Sequence, residues 1–228
     1  MIGKKPDIEF PDYLNPKEPI HGTTTLALKF KDGVVMAADN RASAGYMVAS
    51  PRAKKLHRLS KKTAMSIAGM VSDAQYLIKL MRAEINLYKL NRGKEMPTRM
   101  IGNLLSTVMY GQYRSFFPFF VGPIVAGVDE TGAHVFSMDP SGSITSEPYT
   151  STGSGSPFAF GVLEAMYEPD MDEDQAKKVA LLALRSAIKK DIATGDGIDL
   201  LVITDDGIKE IPKDEIKKIL GEKYPFKD

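Results

Sequence analysis

The sequence predicts an α+β protein of two stacked mixed sheets, covered by helices on both outer faces. The first observation behind this is the order of apolar periodicities along the chain: strands, two helices, strands, two helices, strand. The second is a stripe at helical spacing, Ala176, Val179, Ala180, Ala183, Leu184, Ala187 and Ile188, that is apolar without a break. The third is composition. With 228 residues, 43% hydrophobic and 26% charged, the chain has an ample core for one domain, or for a domain plus an arm.

Residues 1–22 hold Pro6, Pro11, Pro16 and Pro19 among acids and lysines. Such a segment stays extended and buries little, so it reads as a leader, either a passive tail or a removable propeptide. A hairpin follows, with strands Thr24 to Phe30 and Val34 to Arg41 around Lys31-Asp32-Gly33. A two-residue Asp32-Gly33 turn sets Leu26 opposite Asp39. A three-residue loop with a left-handed Gly33 sets Phe30 opposite Val34, Leu28 opposite Met36 and Leu26 opposite Ala38. Because a one-residue slip reverses every side chain, burial of one apolar face selects the second register. The other face then carries Thr25 opposite Asp39 and Thr23 opposite Arg41, which brings Thr23 and Asp39 near each other.

Residues 51–59 form a basic segment in which Lys54 reads as a solvated charge. Thr63 to Gly69 reads as a strand. Ser72 or Asp73 caps a helix to about Asn91 whose apolar face is Ala74, Leu77, Ile78, Met81, Ile85 and Tyr88, and Gly93 closes it. Pro97 opens a second helix to about Ser115. Strands are expected near 124–128 and 134–138 around a turn at 129–132, with another near 143–149. Residues 151–156 then read as a glycine-serine loop running into Pro157 and a helix to about Tyr167. The striped helix starts near Asp172, with Lys177, Lys178, Lys189 and Lys190 as its solvated face. A strand at 198–204, a turn at 205–207 and a short final helix complete the chain.

The totals exclude several functions. There is no cysteine, which removes disulfides, thiolate metal sites and Cys nucleophiles and fits a cytoplasmic protein. His21, His57 and His134 are scattered without metal-ligand spacing. A net charge of +1 gives no steering toward nucleic acid or acidic membranes. The most apolar stretch, 116–128, is too short to span a membrane and is broken by Pro118 and Pro123, and the N-terminus lacks the apolar core of a secretory signal. The run Gly153-Ser-Gly-Ser156 lacks a Walker lysine and the dinucleotide spacing. Asp191, Asp196 and Asp199 lack the alternating ligands of an EF-hand. No cofactor and no metal is expected.

The candidate chemistry centres on His21-Gly22-Thr23-Thr24-Thr25. One reading is a Thr-rich first strand after a leader. The other is a new N-terminus, created when the bond Gly22–Thr23 is cut, so that Thr23 offers both a hydroxyl and a free amine. A threonine hydroxyl needs a base, and an α-amine with a reference pKa of about 8 suits that work. Thr23 must attack the carbonyl just before it, and Gly22 allows the required backbone at least steric cost.

What stands downstream decides between these readings. Gly22-Thr23-Thr24-Thr25, Asp39-Asn40-Arg41, Lys54-Lys55-Leu56, Ile67-Ala68-Gly69, Gly153-Ser-Gly-Ser-Pro157, and Asp191 with Gly195 together resemble a proteasome β subunit of the archaeal type, over Gly22 to about Thr204. That family belongs to the N-terminal-nucleophile hydrolases, so the resemblance implies a four-layer αββα sandwich at 23–228 preceded by a propeptide, 1–22, removed by autolysis. It implies that Thr23 is the catalytic threonine, Asp39 and Lys55 the acid and lysine beside it, and Gly69 the oxyanion-hole N–H. Ser154, Asp191 and Thr194 complete the site, with Thr194 standing where the family usually has serine. Ser43, Gly69 and Val71 match positions that bind substrate backbone, while Ala42, Ala53, His57 and Ile67 match the specificity pocket, which implies cleavage after hydrophobic residues. The implied partners are homo- or hetero-heptameric β rings, α-subunit rings, a regulatory ATPase acting through the α ring, and unfolded polypeptides. Two other functions fit the family's outline: a catalytically silent ring subunit and a small-molecule amidase. The retained Thr23, Asp39 and Lys55 argue against the first, and the peptide-binding pattern at Ser43 and Gly69 against the second.

Overall fold

The computed structural model describes residues 22–44 and 47–221; the leader at 1–21 lies outside them. The first strands are β1 (Thr24–Phe30), β2 (Gly33–Asp39), β3 (Ala42–Ala44), β4 (Met47–Ser50), β5 (Leu56–Arg58) and β6 (Thr63–Gly69). Helices α1 (Val71–Arg92) and α2 (Thr98–Arg114) come next. Strands β7 (Val121–Asp129), β8 (Gly132–Met138), β9 (Ile144–Ser146) and β10 (Tyr149–Gly153) lead to α3 (Ser156–Met166) and α4 (Glu173–Lys190). The described chain closes with β11 (Ile198–Thr204), β12 (Gly207–Glu210) and α5 (Lys213–Leu220).

Two five-stranded sheets result, ordered β10-β1-β2-β11-β12 and β5-β6-β7-β8-β9, with a small β3-β4 hairpin between β2 and β5 in the chain. Every described strand pairing is antiparallel, where the element order had suggested mixed sheets. Three apolar clusters fill three spaces. Leu26, Leu28, Val35, Ala37 and Leu200 meet Leu163, Ala180, Leu184 and Ile216, which puts α3, α4 and α5 on the outer face of the first sheet. Met65, Ile67, Val125 and Phe136 meet Leu77, Met81, Ile101 and Leu105, which puts α1 and α2 on the second. Ala27, Met36 and Ile203 meet Ala64, Ile124 and Val135 between the sheets. The layers therefore run α, β, β, α, as expected. No helix among the described residues is long and apolar enough to cross a membrane.

The hairpin register differs from the expected one by one residue. Phe30 pairs with Gly33, Leu28 with Val35 and Leu26 with Ala37, around the two-residue turn Lys31-Asp32. The reason is that β1 and β2 are buried on both faces, between helices and the second sheet. Both parities are apolar, so burial of one face does not choose between them. Gly33 is not left-handed. It is glycine because a Cβ there would fall 2.1 Å from the Ile203 carbonyl oxygen on β11.

Other boundaries moved for identifiable reasons. α1 starts at Val71 with Met70 before it and no side-chain cap, because the Asp73 carboxylate accepts from the Phe120 N–H at 2.9 Å instead. Gly93 closes α1 in the left-handed conformation and donates to the Lys89 carbonyl. α4 begins behind a capping box of Asp172 and Gln175. Residues 149–153 form β10 rather than a loop, pairing with β1, and β12 extends what had read as a turn. Lys177 is not on a solvated face: it is buried, with Nζ 2.8 Å from Asp174, 3.1 Å from Glu173 and 3.2 Å from Glu215, tying α4 to α5. Lys178, Lys189 and Lys190 are exposed as expected.

Candidate active site

The site lies at one end of the first sheet, where β1 begins, β2 and β10 end, and the 191–197 segment leads into β11. Asp39 is the last residue of β2 and is fully buried. Its Oδ1 accepts from the Thr24 N–H at 2.9 Å and from the Lys55 Nζ at 2.6 Å. Its Oδ2 accepts from the Gly195 N–H at 2.9 Å and the Arg41 N–H at 3.1 Å. The closeness expected between Thr23 and Asp39 is thus made one residue along, through Thr24. Four donors on two oxygens match a carboxylate, which only accepts. Burial pushes the Asp39 carboxyl up from its usual range, opposed by the charge and hydrogen bond of Lys55 and by the backbone donors. Burial likewise draws the Lys55 ammonium down, opposed chiefly by Asp39.

A second cluster closes on Thr23 from the other side. The backbone nitrogen of Thr23 donates to Ser154 Oγ at 3.2 Å. Ser154 donates in turn to Asp191 Oδ2 at 2.6 Å, and Thr194 donates to the same oxygen at 2.5 Å. Asp191 Oδ1 accepts from the Ala193 N–H at 3.2 Å. Because Ser154 spends its only hydrogen on a carboxylate, its lone pairs remain for the Thr23 nitrogen. Two glycines allow this approach. A Cβ on Gly153, whose φ is +102°, would lie 1.9 Å from the Thr23 carbonyl oxygen, and one on Gly22 would lie 1.7 Å from the Ala193 Cβ. A side chain at position 22 would therefore strike Ala193.

Gly69 ends β6 with φ +126°, and a side chain there would strike the Phe120 carbonyl oxygen at 2.2 Å. That carbonyl accepts from the Met70 N–H at 2.9 Å, while Asp73 holds the N–H of the same residue. Ser43 is buried and donates from Oγ to the Ala193 carbonyl at 3.1 Å, joining β3 to the 191–197 segment. Beside it, Ala42 is half-buried, and the Ala53 N–H donates to the Asn40 carbonyl at 2.8 Å. Ile67 packs into the core beneath α1, and Val71 is exposed at the start of that helix. His57 lines a separate cleft with Lys54, Arg58, Arg82 and Glu210. Burial, then the Arg82 and Lys54 charges, draw its imidazole below the usual range.

Residues that the sequence reading did not assign also shape the site. Arg41 pairs with Asp196 through Nε at 2.7 Å and Nη2 at 3.1 Å, and donates from Nη1 to the Ile192 carbonyl at 2.8 Å, which clamps the 191–197 segment. Gly195 makes room for that guanidinium, since a Cβ there would lie 2.5 Å from Arg41 Nη2. The run Thr-Gly-Asp-Gly at 194–197 was the available signal. The Thr24 hydroxyl also enters the cluster, 2.7 Å from Thr194 Oγ1.

A family model described as proteasome subunit matches residues 20–203. The chain belongs to the proteasome subunit family. A protein named proteasome subunit beta in Haloferax volcanii is 46% identical over 197 residues, covering 86% of this chain and 79% of that one. Its namesake in Methanoregula boonei is 44% identical over 206 residues, 90% of this chain and 96% of that one. The Methanocaldococcus jannaschii protein of the same name is 46% identical over 201 residues, 87% and 89% respectively. The αββα sandwich is the N-terminal-nucleophile hydrolase fold of this family, and the resemblance drawn from Thr23, Asp39, Lys55 and the glycine runs holds across most of the chain.

Proposed function

We propose that this chain is a catalytic β subunit of a proteasome core particle, a threonine endopeptidase whose nucleophile is Thr23. The observation that carries the reading is convergence. Five segments far apart in sequence, around residues 23, 39, 55, 154 and 191, meet at two adjacent buried threonines, with Ser154 and Asp191 on the Thr23 side and Asp39 and Lys55 on the Thr24 backbone.

The chemistry follows from the donors and acceptors present. Removal of residues 1–22 frees the Thr23 amine. Ser154, held as an acceptor by Asp191, takes one N–H of that amine and turns its lone pair away from itself. The amine then accepts the Thr23 hydroxyl proton, directly or through one water. The hydroxyl oxygen attacks the scissile carbonyl, and the Gly69 N–H stabilises the tetrahedral oxyanion; one such donor is worth about 10²–10³ in rate. The proton passes to the departing amine, an acyl-Thr23 ester remains, and water hydrolyses it. The Lys55 ammonium, fixed by Asp39, favours the neutral amine and the developing alkoxide.

In the precursor the Thr23 nitrogen is an amide and is no base. The first attack, on the Gly22 carbonyl, therefore needs a proton acceptor other than that nitrogen. Extended substrate lies along Ser43, Gly69 and Val71, and the apolar Ala42, Ala53 and Ile67 set a preference for hydrophobic residues. Family membership supports assembly into heptameric β rings, alone or with other β subunits, stacked on α rings. A regulatory ATPase then feeds unfolded polypeptides through the α ring in the cytoplasm.

Intact mass of the purified, assembled protein tests the proposal. Wild-type chains should begin at Thr23, Thr23→Ala chains should retain residues 1–22, and a threonine-directed covalent inhibitor should be found on Thr23. Full-length wild-type chains in assembled particles, or an inhibitor found elsewhere, would overturn it.

A further inference from the structure

The scheme above leaves one buried hydroxyl unused. Thr24 is fully buried, and its Oγ1 lies 2.7 Å from Thr194 Oγ1. Distance alone lets either oxygen donate. Thr194 has a single hydroxyl hydrogen, and the Asp191 carboxylate at 2.5 Å is the stronger acceptor. Thr194 therefore donates to Asp191, and Thr24 donates to Thr194. The hydroxyls point one way, from Thr24 to Thr194 to Asp191, and the same carboxylate oxygen receives Ser154, which holds the Thr23 nitrogen.

Thr24 also touches the other half of the site. Its backbone N–H donates to Asp39 Oδ1, the oxygen that holds Lys55. One residue thus bonds to both carboxylates of the cluster, to Asp39 directly and to Asp191 through one hydroxyl. A separate observation shows that the chain keeps space for this arrangement. A Cβ at Gly155 would sit 2.2 Å from Thr24 Oγ1 and 3.1 Å from Thr194 Oγ1. Any side chain at 155 would displace the hydroxyl pair.

We propose that Thr24 is a positioning residue for the reaction. Its hydroxyl fixes Thr194 in the rotamer that serves Asp191, and so fixes the Ser154 oxygen that orients the Thr23 amine. Threonine at 194 suits this role, because its branched Cβ narrows the choice of χ1 and the Thr24 donor settles it. The proposal rests on the reading of Thr23 as nucleophile. The competing account is that Thr24 is a strand residue whose hydroxyl is merely satisfied.

The test uses the full chain with Thr24→Val, which keeps the shape and removes the hydroxyl, and Thr24→Ser, which keeps the hydroxyl. Turnover of a peptide substrate is measured per processed Thr23 end, counted by intact mass. One lost hydrogen bond to a carboxylate-anchored network predicts a fall in kcat of about five- to tenfold for Thr24→Val. KM should stay within about twofold, because substrate contacts are untouched. Thr24→Ser should restore kcat. Thr24→Val and Thr194→Val combined should lose no more than the worse single variant, since both break one chain.

Wild-type kcat in Thr24→Val, a loss confined to KM, or additive losses in the double variant would each overturn the proposal. If Thr24→Val does not assemble, Thr24→Ala replaces it. Failure of both to assemble, with Thr24→Ser fully active, would assign the Thr24 hydroxyl to folding rather than to positioning and overturn the proposal as well. None of these outcomes affects the nucleophile, which stands or falls on the wild-type terminus and the inhibitor adduct.

Discussion

Replacing Asp39 by asparagine changes one atom and should cost more than its size suggests. The carboxylate accepts from Thr24 N–H and Lys55 Nζ on one oxygen, and from Gly195 N–H and Arg41 N–H on the other. An amide presents one acceptor and one donor. Whichever way it is turned, its NH₂ faces two donors, and both lose their partner at a fully buried position. Each orphaned buried donor costs about 1–3 kcal/mol, so the loss should be about 2–6 kcal/mol. The Lys55 ammonium, which is 7% exposed, also loses its counter-charge, which pushes the cost toward the upper end. For a chain of this length that corresponds to a drop in Tm on the order of 10 °C. The comparison belongs in a Thr23→Ala background, where reference and variant carry the same leader, at one protein concentration. Urea midpoints with an unchanged m-value should give the difference directly. A variant within about 1 kcal/mol of its reference would refute the argument that four donors converge on this carboxylate.

Two further expectations come from local geometry. Gly22→Val should leave residues 1–22 attached in most chains, because a Cβ at that position overlaps the Ala193 Cβ at 1.7 Å; intact mass reads this, and normal processing would show that the segment yields. Asp129 is held at a pKa of about 2: burial pushes it up, but the Thr131 hydroxyl, the Arg99 and Thr131 N–H groups and His134 pull it down further. A depressed carboxyl stabilises the fold fully above its unfolded pKa of 3.8, and that stability is lost as pH falls through about 2. Between pH 4 and 2 the stability gap between wild type and Asp129→Asn should therefore shrink by about 2 kcal/mol, and a gap that stays constant across that window would rule the mechanism out.

Most elements were legible because their periodicity is strong. β1 and β6 match their expected limits, and the stripe from Ala176 to Ala187 is buried as read. What failed was whatever depended on the far side of the molecule. The β1–β2 register is undetermined by alternation because Ala27 and Met36 face the second sheet while Leu28 and Val35 face helices, and both sets are apolar. β10 was missed because Thr, Ser and Gly do not look like a buried strand. Its hydroxyls are satisfied across the sheet instead: Ser151 donates to the Thr25 carbonyl at 2.9 Å, and Thr152 Oγ1 lies 3.0 Å from Thr25 Oγ1.

The site divides along the same line. Thr23, Asp39 and Lys55 stand out in the sequence because each sits at a fixed place beside a recognisable run, and the fold brings those runs together. Asp73 and Lys177 were misread because a helix-start acid and a helix-face lysine have an ordinary local explanation. The partner of Asp73 lies 47 residues away, at Phe120, and Lys177 is buried because, besides its neighbours Glu173 and Asp174, it reaches Glu215, 38 residues away. A charged side chain is legible from sequence when its partner is local or when its environment forbids the ordinary use. Asp39 meets the second condition, since a strand-end aspartate among apolar residues has to be spent on something. Thr24 meets neither, because threonine is a normal strand residue with or without a task. Its part in the cluster becomes visible only when the single hydrogen on Thr194 is assigned and the direction of the chain follows.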